Sequence, residues 1–248
     1  MHEKVAVNLK KSIISAIFAV GMMVNALAHE VPSDSPAGAD RVGMESVPAA
    51  APLAARYRLK SGSIDSDWYL WRDNATVETA DLATGQNTIW EKLGRDDYRY
   101  RRVFNREQRV VDYSPGEIRT RNGEPDWPKL ESVVSPQLLA ALRRGESRPA
   151  FGQTAAHYSG TIKGQQIDLW WLEQARLPMY LEIVSAGRHL AMTLQALHDR
   201  APADWPRATG EKIADYGQID AADFGDMEND PFVARVMQQG GSHRGHEH

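Results

Sequence analysis

The 248-residue sequence contains no cysteine. Disulfides, thiolate nucleophiles and cysteine-based metal sites are excluded with it, so burial must hold the folded chain together, which a chain of this size can manage. It also lacks a strong charge of either sign. The formal net charge of −4 gives no electrostatic reason to expect nucleic acid or anionic lipid. Catalytic signatures are missing as well. There is no G-x-S-x-G elbow and no H-E-x-x-H helix. Asp223-Phe224-Gly225 stands without the Gly-rich and catalytic loops of a kinase, so it is coincidental. The acidic run Asp220–Asp230 lacks the ligand spacing of a calcium loop, and no carboxylate pair stands out for glycoside hydrolysis. Past residue 28 no apolar run approaches the ~20 residues needed to cross a bilayer. These absences predict a non-enzymatic protein with no cofactor in its folded part, no nucleic-acid partner and no integral membrane span.

What is present begins at the N-terminus. Lys4, Lys10 and Lys11 precede an apolar stretch from Ile13 to Val24, closed by Ala26-Leu27-Ala28. A charged region, an apolar core and a small-x-small site make a secretory signal. Residues 1–28 are therefore expected to be cleaved after Ala28, leaving about 220 residues in the periplasm. No cysteine follows the apolar run, which closes the lipid-anchor route. Residues 29–54 are rich in Pro, Ala, Ser and Gly without apolar periodicity, as in a disordered linker.

From about residue 55 the pattern becomes that of strands. Runs at 56–60, 67–72, 75–79, 87–93, 98–104 and 108–113 recur every 8–12 residues with turn residues between them, the mark of an antiparallel meander. Pro115-Gly116 reads as a turn. Ser135 as N-cap, Pro136 at N1, apolar Leu138, Leu139 and Leu142, two arginines and then Gly145 predict a helix over 135–145. A shorter helical piece is expected near 128–134. Strands resume at 156–162, 166–172 and 178–184; the segment 189–198, where Leu190, Met192 and Leu194 share one face in a strand, reads as a last strand or as a helix. From Ala201 the chain reads as a loop-like, acidic extension with a short helix opened by Asp230-Pro231 and a His-bearing tail. The predicted organisation is a 55–200 half-barrel domain followed by a 201–248 extension. The fold class is α+β: a curved antiparallel sheet, an unclosed β-barrel, with helices across its concave face.

Several residues in this order carry a resemblance. Trp90, Gly94 and Arg101-x-x-Phe104 are followed by Val110-Val111-Asp112-Tyr113-Ser114-Pro115-Gly116. After the helix come Tyr158-x-Gly160-x-x-x-Gly164, Leu169-Trp170-Trp171-Leu172 and Leu177-Pro178. Residues 55–200 in this respect resemble the periplasmic lipoprotein-carrier superfamily, the lipoprotein localisation factors and their relatives. That resemblance implies an unclosed barrel with a helical lid. It implies that Arg101 is the strand arginine that bonds lid backbone, and that Tyr113 is the tyrosine of a Tyr-x-Pro turn.

A half-open barrel lined by Trp and Leu can shelter an acyl chain, since each buried CH₂ contributes about 0.8 kcal/mol. The candidate ligand-binding residues are Trp68, Leu70, Trp90, Arg101, Phe104, Tyr113, Trp170, Leu172 and Met179. The plainer reading is that each of them packs as core. Which strand faces point inward is not fixed by the pattern. The expected function is that of a periplasmic carrier holding an apolar or lipid-like ligand, for which a dry pocket of several hundred Å³ is expected; a hollow plugged by the protein's own side chains argues against it. Two alternatives stand beside this reading. His243, His246 and His248 form a tail of neutral imidazoles suited to Cu or Zn, as in a metal-handling accessory protein. The chain could instead be an adaptor docking an envelope protein partner.

Overall fold

The computed structural model describes residues 50–121 and 125–241. The signal segment, the linker up to residue 49 and the metal candidates His243, His246 and His248 lie outside them. In chain order the elements are β1 (Leu53–Ser61), β2 (Ile64–Arg72), β3 (Thr76–Asp81), β4 (Gln86–Lys92), β5 (Tyr98–Phe104) and β6 (Arg109–Tyr113). Helices α1 (Pro115–Arg121), α2 (Trp127–Ser132) and α3 (Pro136–Ala141) follow. Then come β7 (Arg143–Ala150), β8 (Gln153–Ile162), β9 (Gln165–Leu172), β10 (Leu177–Ser185), β11 (Arg188–His198), β12 (Gly217–Asp220), a 3₁₀ turn at Ala221–Gly225 and α4 (Pro231–Gly241). The fold class is α+β, built on largely antiparallel sheet that does not close on itself.

The chain divides into two compact units, residues up to 84 with 126–206, and residues 85–125 with 207 onward. In the first, the strand order is β3-β2-β1-β11-β10-β9-β8-β7, every neighbour antiparallel. The hairpins turn on left-handed pairs such as Lys163-Gly164 and Ala186-Gly187, with φ of 49° and 75°, and 44° and 76°. Positive φ at both central positions gives the type I′ turn, whose twist matches that of the paired strands. The ends of this run, β3 and β7, are not neighbours. β7 is exposed along almost its whole length, breaks register between Arg144 and Ser147, and carries Pro149.

The second unit has the order β12-β6-β5-β4. β12 runs parallel to β6; the other pairs are antiparallel. One face buries Phe104 and Val111 against Ile219, Phe224, Phe232 and Val236. The other buries Ile89, Val103 and Val110 against Ala208 and Ile213. The acidic extension is thus packed structure that buries Ala208, Ile213, Ile219, Ala221 and Phe224, and α4 docks through Phe232, Val233 and Val236 on its own sheet.

Three local expectations need correction. The helix predicted over 135–145 ends at Ala141; Leu142 is already extended, at φ −92° and ψ 150°, and the following arginines open β7. Pro115-Gly116 starts α1, because proline at the first helical position costs no hydrogen bond. The segment from residue 201 contains β12 and a 3₁₀ turn where loop was expected.

Candidate functional site

Strand alternation separates the first unit's sheet into two chemically opposite faces. Register places Tyr57 opposite Trp68, Leu59 opposite Met192, Met192 opposite Leu181 and Leu181 opposite Leu169. Leu70, two residues from Trp68, and Trp171, two from Leu169, share this face. All eight side chains are buried. The opposite face is largely polar. Arg58 pairs with Asp65 and Asp67, His157 lies 3.0 Å from Asp168, and His189 hydrogen-bonds Glu182, which holds that carboxyl below its usual range. An aromatic patch of Tyr69, Trp71 and Trp205 interrupts it near the Leu53 end of β1.

The apolar face is covered by the α2–α3 segment. Trp127, Val134, Leu138 and Leu142 are buried there. Asp126 caps α2 by accepting from the Lys129 amide, and Ser135 caps α3 by accepting from the Leu138 amide. Leu142 lies so close to β8 that a Cβ on Gly160 would stand 3.1 Å from its Cδ2 and 3.9 Å from its Cα. Between the helices, Val133 adopts φ 68°, ψ −34°, a costly conformation for a β-branched residue.

A single arginine ties this cover to the sheet. Arg72, at the end of β2 and 4% exposed, donates from Nε to the Ala51 carbonyl at 3.0 Å. Its Nη1 donates to the Glu131 carbonyl in α2 and its Nη2 to the Ala175 carbonyl before β10. Desolvation by burial, opposed by the charge of Glu131, pulls the guanidinium down to about 10. The Glu131 carboxylate is buried too and accepts from the Trp127 indole N–H at 2.7 Å. The Tyr57 hydroxyl is buried with no hydrogen-bond partner among the described residues, and burial pushes its pKa far up, against the pull of the Arg72 charge.

The nine candidate ligand residues divide between the units. Trp68, Leu70, Trp170, Leu172 and Met179 belong to the first; Trp90, Arg101, Phe104 and Tyr113 belong to the second. Trp68 and Leu70 lie on the covered apolar face. Alternation puts Trp170 and Leu172 on the other face, where Trp170 packs beside His157 under the Arg148 guanidinium, 3.9 Å from its ring centroid. Met179 is the extra residue of a bulge between β9 and β10. Phe104 is core of the second unit, with Tyr113 packed against the same cluster. Trp90 stacks on Tyr100. Arg101 pairs with Glu91 at 3.0 Å; the bond to helix backbone is made by Arg72.

Two open depressions mark the first unit. One of about 470 Å³ lies against Arg148, Gly152, Gln153 and Gln174. The other, of about 510 Å³, lies against Arg56, Arg58, Lys60, Asp67 and Thr193. Both are polar, and neither touches the apolar face, which the protein fills with its own helices; the dry pocket expected of a carrier is therefore not open among the described residues, and an apolar ligand has room there only if the helices move. Among the described residues no group of three or more His, Asp or Glu side chains could hold a metal, and no helix is long and apolar enough to cross a membrane.

Sequence reasoning missed Tyr57, Arg72 and Trp171. The signal for Tyr57 was its place in the Arg56–Lys60 alternation, which puts it with Leu59 on the apolar side.

No protein-family model matches the chain, and no curated protein matches it. Solved structures similar to it include PNGF-II, at 9% identity and TM-score 0.39 over 72% of this chain and 33% of that one. The MucA/MucB complex of Pseudomonas aeruginosa is similar at 14% identity and TM-score 0.34, over 62% of this chain and 53% of that one. The Mycobacterium tuberculosis lipoprotein LppX is similar at 11% identity and TM-score 0.32, over 61% and 89%. The chain thus spans about a third of PNGF-II and half of its MucA/MucB match. At TM-scores under 0.5 the likenesses carry no argument about ligand or activity.

Proposed function

We propose that this chain is an exported, non-catalytic periplasmic binding protein that takes up an apolar or acyl ligand on the covered face of its first unit. The N-terminal lysines, apolar run and Ala26-Leu27-Ala28 site support export. The observation that carries the ligand reading is the unbroken apolar face from β2 to β9, roofed by two short helices rather than by a second sheet. A ligand enters by displacing that roof. About ten methylenes laid on the face contribute ~8 kcal/mol, the free energy of a micromolar complex before the cost of moving the helices. Trp68 and Leu70 line the path; Trp170 and Leu172, on the other face of the sheet, do not touch it.

The roof can be locked because the chain has no cysteine of its own. Leu142 stands against Gly160, where a Cβ would lie 3.9 Å from the Leu142 Cα, so cysteines at these two positions are the pair to test for a lock by disulfide. Palmitate titration, read by tryptophan fluorescence and native mass spectrometry, should show binding to the wild type and the reduced double variant. Binding should be lost on oxidation. Absence of binding to the wild type sinks the reading, and unchanged binding after oxidation removes the roof from the path.

A further inference from the structure

The polar face of the first unit holds a cation with no counter-charge among the described residues. Arg56, Arg58 and Lys60 alternate along β1 and so project from one face, and all three line the depression of about 510 Å³. Two carboxylates line it with them, Asp65 and Asp67 on β2. Arg58 engages both, reaching Asp67 at 3.0 Å. Register sets Lys60 opposite Asp65, but it sets Arg56 opposite Tyr69 on one side and Ala196 on the other. Neither neighbouring strand therefore faces Arg56 with a carboxylate. Its Nε is shielded from solvent and meets no acceptor among the described residues. Buried polar atoms are almost always satisfied, and an orphan points to a missing partner.

The neighbouring strand is shaped at the same spot. Arg56 pairs with Ala196 and Tyr57 with Leu194, so Gln195 is an extra residue of β11, left over where the register shifts. Such a bulge re-aims a side chain and is frequent beside active sites. Here Gln195 and Thr193 both line the depression. Gln195 donates from Nε2 to the Thr193 carbonyl at 3.3 Å, which leaves its Oε1 as an acceptor. The lining thus combines one uncompensated guanidinium with hydroxyl, amide and carboxylate groups, and contains no apolar side chain.

We propose that this depression binds an acidic sugar, a polyhydroxylated ring bearing one carboxylate or phosphate. Arg56 takes the oxyanion, for which a guanidinium fork has matching geometry. The ring hydroxyls donate to Asp67 and to Gln195 Oε1, and accept from the Thr193 hydroxyl. The volume suits such a ligand, since small-molecule pockets span about 300–1,000 Å³. The site lies on the face opposite the covered one, so it stands or falls apart from the acyl reading.

Calorimetric titration of the full chain with glucuronate, glucose 1-phosphate and glucose tests this. At least one of the two acids should bind the wild type about tenfold or more tighter than glucose, as a hydrogen bond to a charged group predicts. Which acid does so separates carboxylate from phosphate. Arg56→Gln should weaken that acid's binding severalfold. Gln195→Ala, at an exposed position that folding does not need, should weaken it too. Arg95→Gln, which removes an exposed arginine of the second unit, should leave it unchanged. Absence of binding by both acids overturns the proposal, and so does equal binding of acid and glucose. Affinity unchanged in Arg56→Gln or in Gln195→Ala also overturns it. An equal loss in Arg95→Gln would reduce the effect to general charge attraction and sink the site.

Discussion

Arg109 in β6 reaches Asp230, the residue that opens α4, with Nη1 2.6 Å from Oδ2. The other carboxylate oxygen accepts from the Phe232 amide at 2.8 Å. One side chain therefore starts the helix and fastens it to the sheet. The Arg109 hydrogen bond, helped by the Phe232 amide, holds the Asp230 carboxyl below its usual range. A depressed folded-state pKa gives stability that is present above the unfolded value of about 3.9 and lost as pH falls through the folded one. Asp230→Asn should melt lower than wild type at pH 7, and the gap should close in acid below that window. A gap constant from pH 7 to pH 2.5 would break the link.

Leu70 is fully buried on the covered face, whereas Leu93 is 59% exposed. Leu70→Ala should cost about 2–5 kcal/mol, from lost transfer energy and the cavity left behind. Leu93→Ala should fall within about 0.5 kcal/mol of wild type. Urea denaturation of both variants checks the pair, and similar losses would mean the burial assignment is wrong.

Val133 holds a left-handed backbone at the joint between α2 and α3. Glycine adopts that conformation freely. Val133→Gly should raise stability, or leave it level where lost packing offsets the relief, despite removing a side chain. A loss above about 1 kcal/mol would show that its packing outweighs the strain.

Gly160 lies where a Cβ would crowd Leu142. Gly160→Val should destabilise by about 1–3 kcal/mol, as overpacking does. The penalty should shrink in a Leu142→Ala background, giving a coupling that a double-mutant cycle measures. Additive losses would show that the two positions do not touch.

The strands from 53 to 113 were legible because Tyr57 and Leu59 alternate with charged neighbours, and because the aromatic run Trp68–Trp71, buried on both faces, suits a strand covered on both sides. The helix end was not. Arg143, Arg144 and Gly145 imitate a helix stop, but Leu142 has to leave the helix to bury its side chain against Gly160. β7 escaped notice because Arg143–Ala150 has no apolar alternation, being a strand with nothing to bury. β12 was hidden among acidic residues, with Ile219 as its single buried side chain. The site was half legible. Trp68 and Leu70 stood out as large apolar residues of that run. Arg72 looked like the charged boundary of an aromatic run, and only tertiary packing turns such a boundary into a buried clasp. Trp170 and Trp171 are adjacent, so composition could not say which faces the roof; register chooses Trp171.

The bent, charged margin formed by β7 has a further effect. An open sheet margin invites a second chain to continue its ladder. Here a newcomer would meet a break in spacing between Arg144 and Ser147, a proline at 149 with no amide hydrogen to share, and a row of arginines repelling their own copies. Molecules crowded together should therefore remain separate rather than stitch margin to margin into fibres.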